Sequence, residues 1–212
     1  MEGKTKVSLS DDLKENENPA TLVLEEIDEN AIAKLIIDDS NMNISNNGDK
    51  TKVNDIKFSH SITSKIIQSD ETVKSYYSDL KNHILSYSDV KSRLSWKFDT
   101  YYKGRKILFK IKIRGKTICL YCCLNPEEFD KSQYNQEAIN AVLVEDVPML
   151  VKIKNSVSLK KAKELIDIEM TKFKIKKLSN FKAINYVSKY PYEDTDTLIN
   201  RGLIKVLIPN DL

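Results

Sequence analysis

Glycine is scarce in this chain, five among 212 residues, and so are proline at five, cysteine at three and tryptophan at one. The glycines are too few and too scattered for a G-x-G-x-x-G or a P-loop, so phosphate-cradling loops of bare backbone N–H groups are excluded. A G-x-S-x-G nucleophile elbow is missing as well. No apolar run reaches the roughly eighteen residues of a membrane span, and the N-terminus lacks a basic-then-apolar leader; the expectation is a soluble, cytoplasmic protein that does not engage a membrane. Three cysteines, an odd number packed into Cys119, Cys122 and Cys123, do not suit a disulfide framework and fit a reducing compartment.

Charge is divided along the chain. Residues 1–56 hold 6 Lys against 13 Asp or Glu, net −7, while residues 57–212 hold 28 Lys or Arg against 18 acids, net +10. The first stretch also has no aromatic residue, too little apolar area to offset the entropy of ordering, and reads as a disordered acidic arm. One apolar island within it, Thr21–Asp39, is a candidate segment for docking to a protein partner.

The ordered domain is expected over residues 57–212. Val73, Tyr76, Tyr77, Leu80, Ile84 and Tyr87 recur at helical spacing, which predicts a helix over Asp70–Tyr87 with Ser69 as its cap. Period-2 alternation then predicts three strands, Arg93–Tyr101, Lys106–Ile113 and Lys116–Leu124, with turns at Lys103-Gly104 and Arg114-Gly115. Strands joined this tightly form an antiparallel meander. A short helix over Gln136–Leu143, a fourth strand over Met149–Lys154, and a helix capped by Ser156 or Ser158 and running to Phe173 follow. A last helix, Asp194–Arg201, and a strand, Leu203–Ile208, close the chain. The fold class expected is α+β: a two-layer sandwich in which two helices cover one face of an antiparallel sheet of four or more strands, preceded by the disordered arm.

The wording of LKNHILSY (80–87), IRGKTICLYCCLNP (113–126), VPMLVKIKN (147–155) and PYEDTDTLINRGLIKVL (191–207) is similar to that of an uncharacterised, clostridial-type bacterial domain family. The order of elements is more distantly similar to the frataxin-like and YjbR-like α/β sandwiches, some of which bind DNA or handle iron. That likeness implies the fold only, because no motif of those groups is present and no functional residue carries over.

Enzyme chemistry finds little footing. Asp99, Glu127, Glu128 and Asp130 are the acids nearest the meander, yet none is followed on a strand by a lysine at the spacing of a metal-dependent nuclease. Alternation puts Cys119 and Cys123 on one face of their strand and Cys122 on the other, so they do not converge on an ion, and no metal or cofactor is expected. The sharpest positive signal is the basic meander. Lys103, Arg105, Arg114 and Lys116 at its turns suit phosphate, and Tyr101 and Tyr102 suit stacking on bases, so a non-enzymatic module that engages nucleic acid or another polyanion is expected. Lysine solvating an outward sheet face in a lysine-rich chain explains the same charges without a ligand. Two further readings are a protein–protein adaptor docking through residues 21–39 and a small-ligand pocket around Trp96.

Overall fold

The computed structural model describes residues 57–207; the arm and its Thr21–Asp39 island lie outside them, as does Ile208. The elements in chain order are β1 (Lys57–His60), α1 (Ile62–Ile67), α2 (Glu71–Leu85), β2 (Lys91–Leu94), β3 (Asp99–Lys103), β4 (Lys106–Arg114) and β5 (Thr117–Cys122). They are followed by α3 (Lys131–Tyr134), β6 (Glu137–Ala138), β7 (Met149–Ile153), α4 (Ser156–Lys172), α5 (Tyr186–Lys189), α6 (Thr195–Asn200) and β8 (Ile204–Leu207), with single 3-10 turns at Pro126–Glu128 and Val142–Val144. The fold is α+β as expected. Six strands form one antiparallel sheet in the order β2-β3-β4-β5-β7-β6, and β1 pairs with β8 in a separate two-stranded ribbon.

One face of the large sheet carries the main core. Val73, Tyr77, Leu80 and Ile84 of α2 and Leu159, Ala162, Leu165, Ile166 and Met170 of α4 pack on Phe109, Ile111, Ile118, Leu120 and Val151. Each such fully buried aliphatic or aromatic side chain contributes about 1.5–3 kcal/mol by leaving water. The caps of α2 and α4 differ from those expected, although Ser158 takes part in the second. Asp70, not Ser69, accepts from Val73 N–H at 2.9 Å, and Asn155 caps α4 while Ser158 returns a bond to the Asn155 N–H, a capping box.

The meander turns are two-residue loops, Gly104-Arg105 and Gly115-Lys116, fixed by the pairings Lys103 with Lys106 and Arg114 with Thr117. Gly104 and Gly115 take φ of 59° and 55°, the left-handed values that such hairpins need and that side chains with a Cβ resist. Two strand expectations are corrected. The single strand Arg93–Tyr101 is a hairpin instead: Leu94 pairs with Asp99, and Ser95–Phe98 turn between β2 and β3. The Ser95 hydroxyl holds that turn, accepting from Phe98 N–H at 3.1 Å and donating to Phe98 O at 2.9 Å, and so lifts Trp96 and Lys97 to its tip. In β4, Tyr101 pairs with Phe109 but Tyr102 with Ile107, so Leu108 is an extra residue in a bulge. Leu108 and Phe109 both enter the main core, while Ile107 is delivered to the opposite face.

That opposite face is not simply solvated lysine. Phe98, Cys119, Tyr121 and Leu150 form a second, smaller core under Val144 and Val147 of the segment leading into β7. The helix expected over Gln136–Leu143 is absent; those residues supply β6 and part of the 3-10 turn. Asn135 in the left-handed region ends α3, and the Gln136 amide is held by Pro126 O at 3.0 Å and Phe129 O at 2.6 Å, which draws the chain away from a helical path.

A buried ionic knot joins α2 to the sheet. Asp99 has no solvent exposure, and its Oδ2 accepts from Lys81 Nζ at 2.7 Å, Tyr77 OH at 2.8 Å and Tyr101 OH at 2.6 Å. Lys81 also lies over the rings of Tyr77 and Tyr186, at 5.5 and 5.1 Å from their centroids. Burial first and the Asp99 charge second push both hydroxyls far above the usual phenol range, so Tyr77 and Tyr101 stay protonated donors. Removing the cation strands a buried carboxylate. Lys81→Met is expected to destabilise the protein by about 3–5 kcal/mol in urea unfolding, and Tyr77→Phe, which removes one hydrogen bond to that charge, by about 1.5–3 kcal/mol. Equal losses for the two variants would show that the ion pair is not the dominant member.

Candidate functional site

The six residues expected to form one binding surface fall into two groups at opposite ends of β4. Nine residues separate the turns, about 26 Å at strand rise, with Lys103 and Arg105 at one end and Arg114 and Lys116 at the other. At the first end Lys103 lies 3.6 Å from the Asp89 carboxylate, and the neighbouring Lys106 stands over the Phe173 ring at 3.6 Å. Arg105 is exposed and Tyr102 half-buried. Tyr101 is corrected outright: at 0% exposure, with its hydroxyl on Asp99, it presents no ring to a base. Tyr121 is likewise buried, edge-on to Phe98 with centroids 5.8 Å apart.

The other end gathers cations from elements distant in sequence. Arg114 and Lys116 at the β4–β5 turn are joined by Lys112 of β4, Lys65 of α1 and Lys97 at the β2–β3 tip. Lys65 Nζ approaches Ile113 O at 3.5 Å, where α1, anchored by Ile62 and Ile66 in the main core, meets the end of β4. Partial burial lowers the pKa of Lys112, and the charges of Arg114, Lys65 and Lys97 lower it further, so the four repel one another. Among the described residues the one ion pair made by these cations is Lys116 with Asp70 at 3.9 Å, between exposed side chains, where such a pair contributes little.

Two adjoining recesses open here, both bordered by His60 and Lys65. One, about 510 Å³, lies between α1, the start of α2 and the β4–β5 turn, with Gln68, Asp70 and Lys116 in its wall. The other, about 340 Å³, is walled by Phe58, Trp96 and Leu143 and by Lys65, Lys97 and Lys112, with no acid in its lining. Burial and the Lys65 charge lower the His60 pKa, so the imidazole is neutral at pH 7 and leaves the lysines as the charged groups. Trp96 lines this second recess; its indole N–H donates to Ser59 Oγ at 3.2 Å and Lys205 lies over its ring at 4.8 Å. Phe58, His60 and Lys65 are what sequence reasoning missed. Lys97 and Lys112 are visible as meander lysines, but nothing in the sequence shows that β1 and α1 lie beside them.

The remaining polar clusters look structural. His83 Nε2 and Tyr87 OH both meet Asp167 Oδ1 at 2.5 Å, tying the end of α2 to α4. Cys122 belongs to the main core and Cys119 and Cys123 to the second, the division that alternation predicts, and among the described residues no three His, Cys, Asp or Glu side chains group as a metal set. Glu169 of α4 is fully buried beside Cys122 and Cys123 with neither oxygen hydrogen-bonded, and the Cys123 N–H is committed to Leu108 O at 3.0 Å. No protein-family model, curated protein or solved structure matches the chain.

Burial raises the Glu169 carboxyl well above its ordinary 4.5, with Lys106 and Lys172 opposing weakly. Between 4.5 and that raised value the folded chain keeps a proton that the unfolded chain has released, so stability falls as pH rises, by up to about 1.4 kcal/mol per pH unit. Glu169→Gln removes the ionisation and is expected to raise the urea midpoint at neutral pH and flatten this part of the profile. A pH profile identical to that of the parent would mean that the ionised carboxylate finds solvent.

Proposed function

We propose that the domain is a non-enzymatic binding module for nucleic acid or a comparable polyanion, and that its contact surface is the Lys65, Lys97, Lys112, Arg114 and Lys116 end of the meander. The observation that carries this reading is that Lys65 of α1, Lys97 of the hairpin tip and Lys112 of β4 line one recess, with Arg114 near Lys112 and Lys116 in the wall of the adjoining recess. Lysines that merely solvate a sheet face spread apart and find water; here Lys112 is partly buried among like charges, an arrangement that a bound phosphate relieves. The Lys103 and Arg105 turn supplies at most a distant second contact, because it lies at the far end of β4 and Lys103 has Asp89 beside it.

The full chain titrated against a labelled oligonucleotide at several salt concentrations tests this. Binding is expected to weaken as salt rises, and Lys65→Gln combined with Arg114→Gln to reduce the steepness of that dependence by about two counterions. Lys103→Gln with Arg105→Gln is expected to leave binding nearly unchanged. Absence of binding at low salt, or an equal loss from the two pairs, would overturn the assignment.

A further inference from the structure

We infer that the nucleic acid bound is single-stranded, with one base entering the recess walled by Phe58, Trp96 and Leu143; this rests on the polyanion reading above and narrows it. The recess holds two chemistries side by side. Lys65, Lys97 and Lys112 provide charge for a phosphodiester backbone, and three apolar side chains from three separate elements provide a surface for an unstacked base. These apolar groups are not buried as core: Phe58 is 42% exposed, Leu143 is 55% exposed, and Trp96 is half-buried. Exposed apolar side chains that gather at a cationic recess match the pairing of aromatic platform and basic groove used for single strands.

The shape argues against a duplex. Reading paired bases requires a helix or ribbon that projects into a groove about 12 Å wide, whereas this surface is concave and its recess of about 340 Å³ falls at the small end of ligand pockets. A recess of that size has room for a base turned out of its stack and none for a base pair still in its helix. The Trp96 ring is already oriented before anything binds, since Ser59 holds its indole N–H and Lys205 covers part of it, so stacking requires little further ordering. Leu143 is held in a similar way: its carbonyl accepts from Lys110 Nζ at 2.6 Å, which pins the 3-10 turn over the sheet.

Trp96 is the only tryptophan of the chain, so its fluorescence reports on this recess alone. Full-length protein is titrated with oligo(dT) and, separately, with an oligo(dA)·oligo(dT) duplex of equal length, following tryptophan emission and the anisotropy of labelled strands. Oligo(dT) is expected to quench Trp96 saturably and to bind more tightly than the duplex. Trp96→Ala is expected to weaken oligo(dT) binding about tenfold, with Trp96→Phe restoring most of it and duplex affinity almost unaffected. Lys97→Glu, at an exposed site that folding does not need, is expected to weaken both. Duplex bound as tightly as single strand, with emission unchanged, would overturn the single-strand inference and leave the polyanion reading standing. Binding of neither probe would overturn both.

Discussion

A single carboxylate oxygen, Asp99 Oδ2, receives a lysine and two tyrosine hydroxyls inside a core from which water is excluded, and the arrangement of the domain follows from satisfying it. A buried ion pair of this kind gains little net stability over apolar residues of the same size, but breaking it on one side is costly because the remaining charge is left buried and unpaired. Lys81 and Tyr77 lie one helical turn apart on α2, and Tyr101 lies two residues beyond Asp99 on β3, so all four groups meet only when α2 sits over β3 in one register. With Asp99 turned inward at the start of β3, the preceding residues reverse direction, and the hairpin tip carries Trp96 and Lys97 out toward β1 and α1.

The sheet then has to cover two faces with unequal material. Helices α2 and α4, with Ile62 and Ile66 of α1 and Tyr186 of α5, cover one face. The other is closed over Cys119, Tyr121 and Leu150 by the segment before β7, and the bulge at Leu108 sends Ile107 to the same small cluster. Beyond the reach of that segment the face is left to Lys112 and its neighbours. The second recess lies beside Lys112, between β1 and α1 on one side and Leu143 of the Val142–Val144 turn on the other.

Electrostatics separate the two ends of the meander more sharply than composition does. Both turns carry a lysine and an arginine, and by sequence they are equivalent. At the Gly104 turn Lys103 has a carboxylate within reach and Lys106 has an aromatic ring. At the Gly115 turn Lys116 likewise has Asp70 at 3.9 Å, and the difference lies in Arg114, Lys65 and Lys97 gathering near Lys112. A surface with such an excess of one sign in a partly desolvated recess attracts a flexible anion from solution more strongly than scattered exposed lysines do.

Local chemistry was enough to indicate the α+β class, the two long helices, the meander, its glycine turns and the split of Cys122 from Cys119 and Cys123, since 3.6- and 2-residue periods and left-handed turn positions are written in adjacent residues. The same signal failed where one hydroxyl or one extra residue overrides a period, as Ser95 does in turning the chain and Leu108 does in the bulge. Tyr101 shows the limit most plainly: in sequence it is an aromatic beside lysines, and only the folded neighbours of Asp99 make it a buried donor instead of a stacking platform. Likewise Phe58, Lys65, Trp96 and Lys112, spread over more than fifty positions of sequence, become one recess through the pairing of β1 with β8 and the docking of α1 on β4. Such contacts between residues far apart in the chain leave no trace in local pattern, because their energy comes from burial and charge that exist only once the domain has closed.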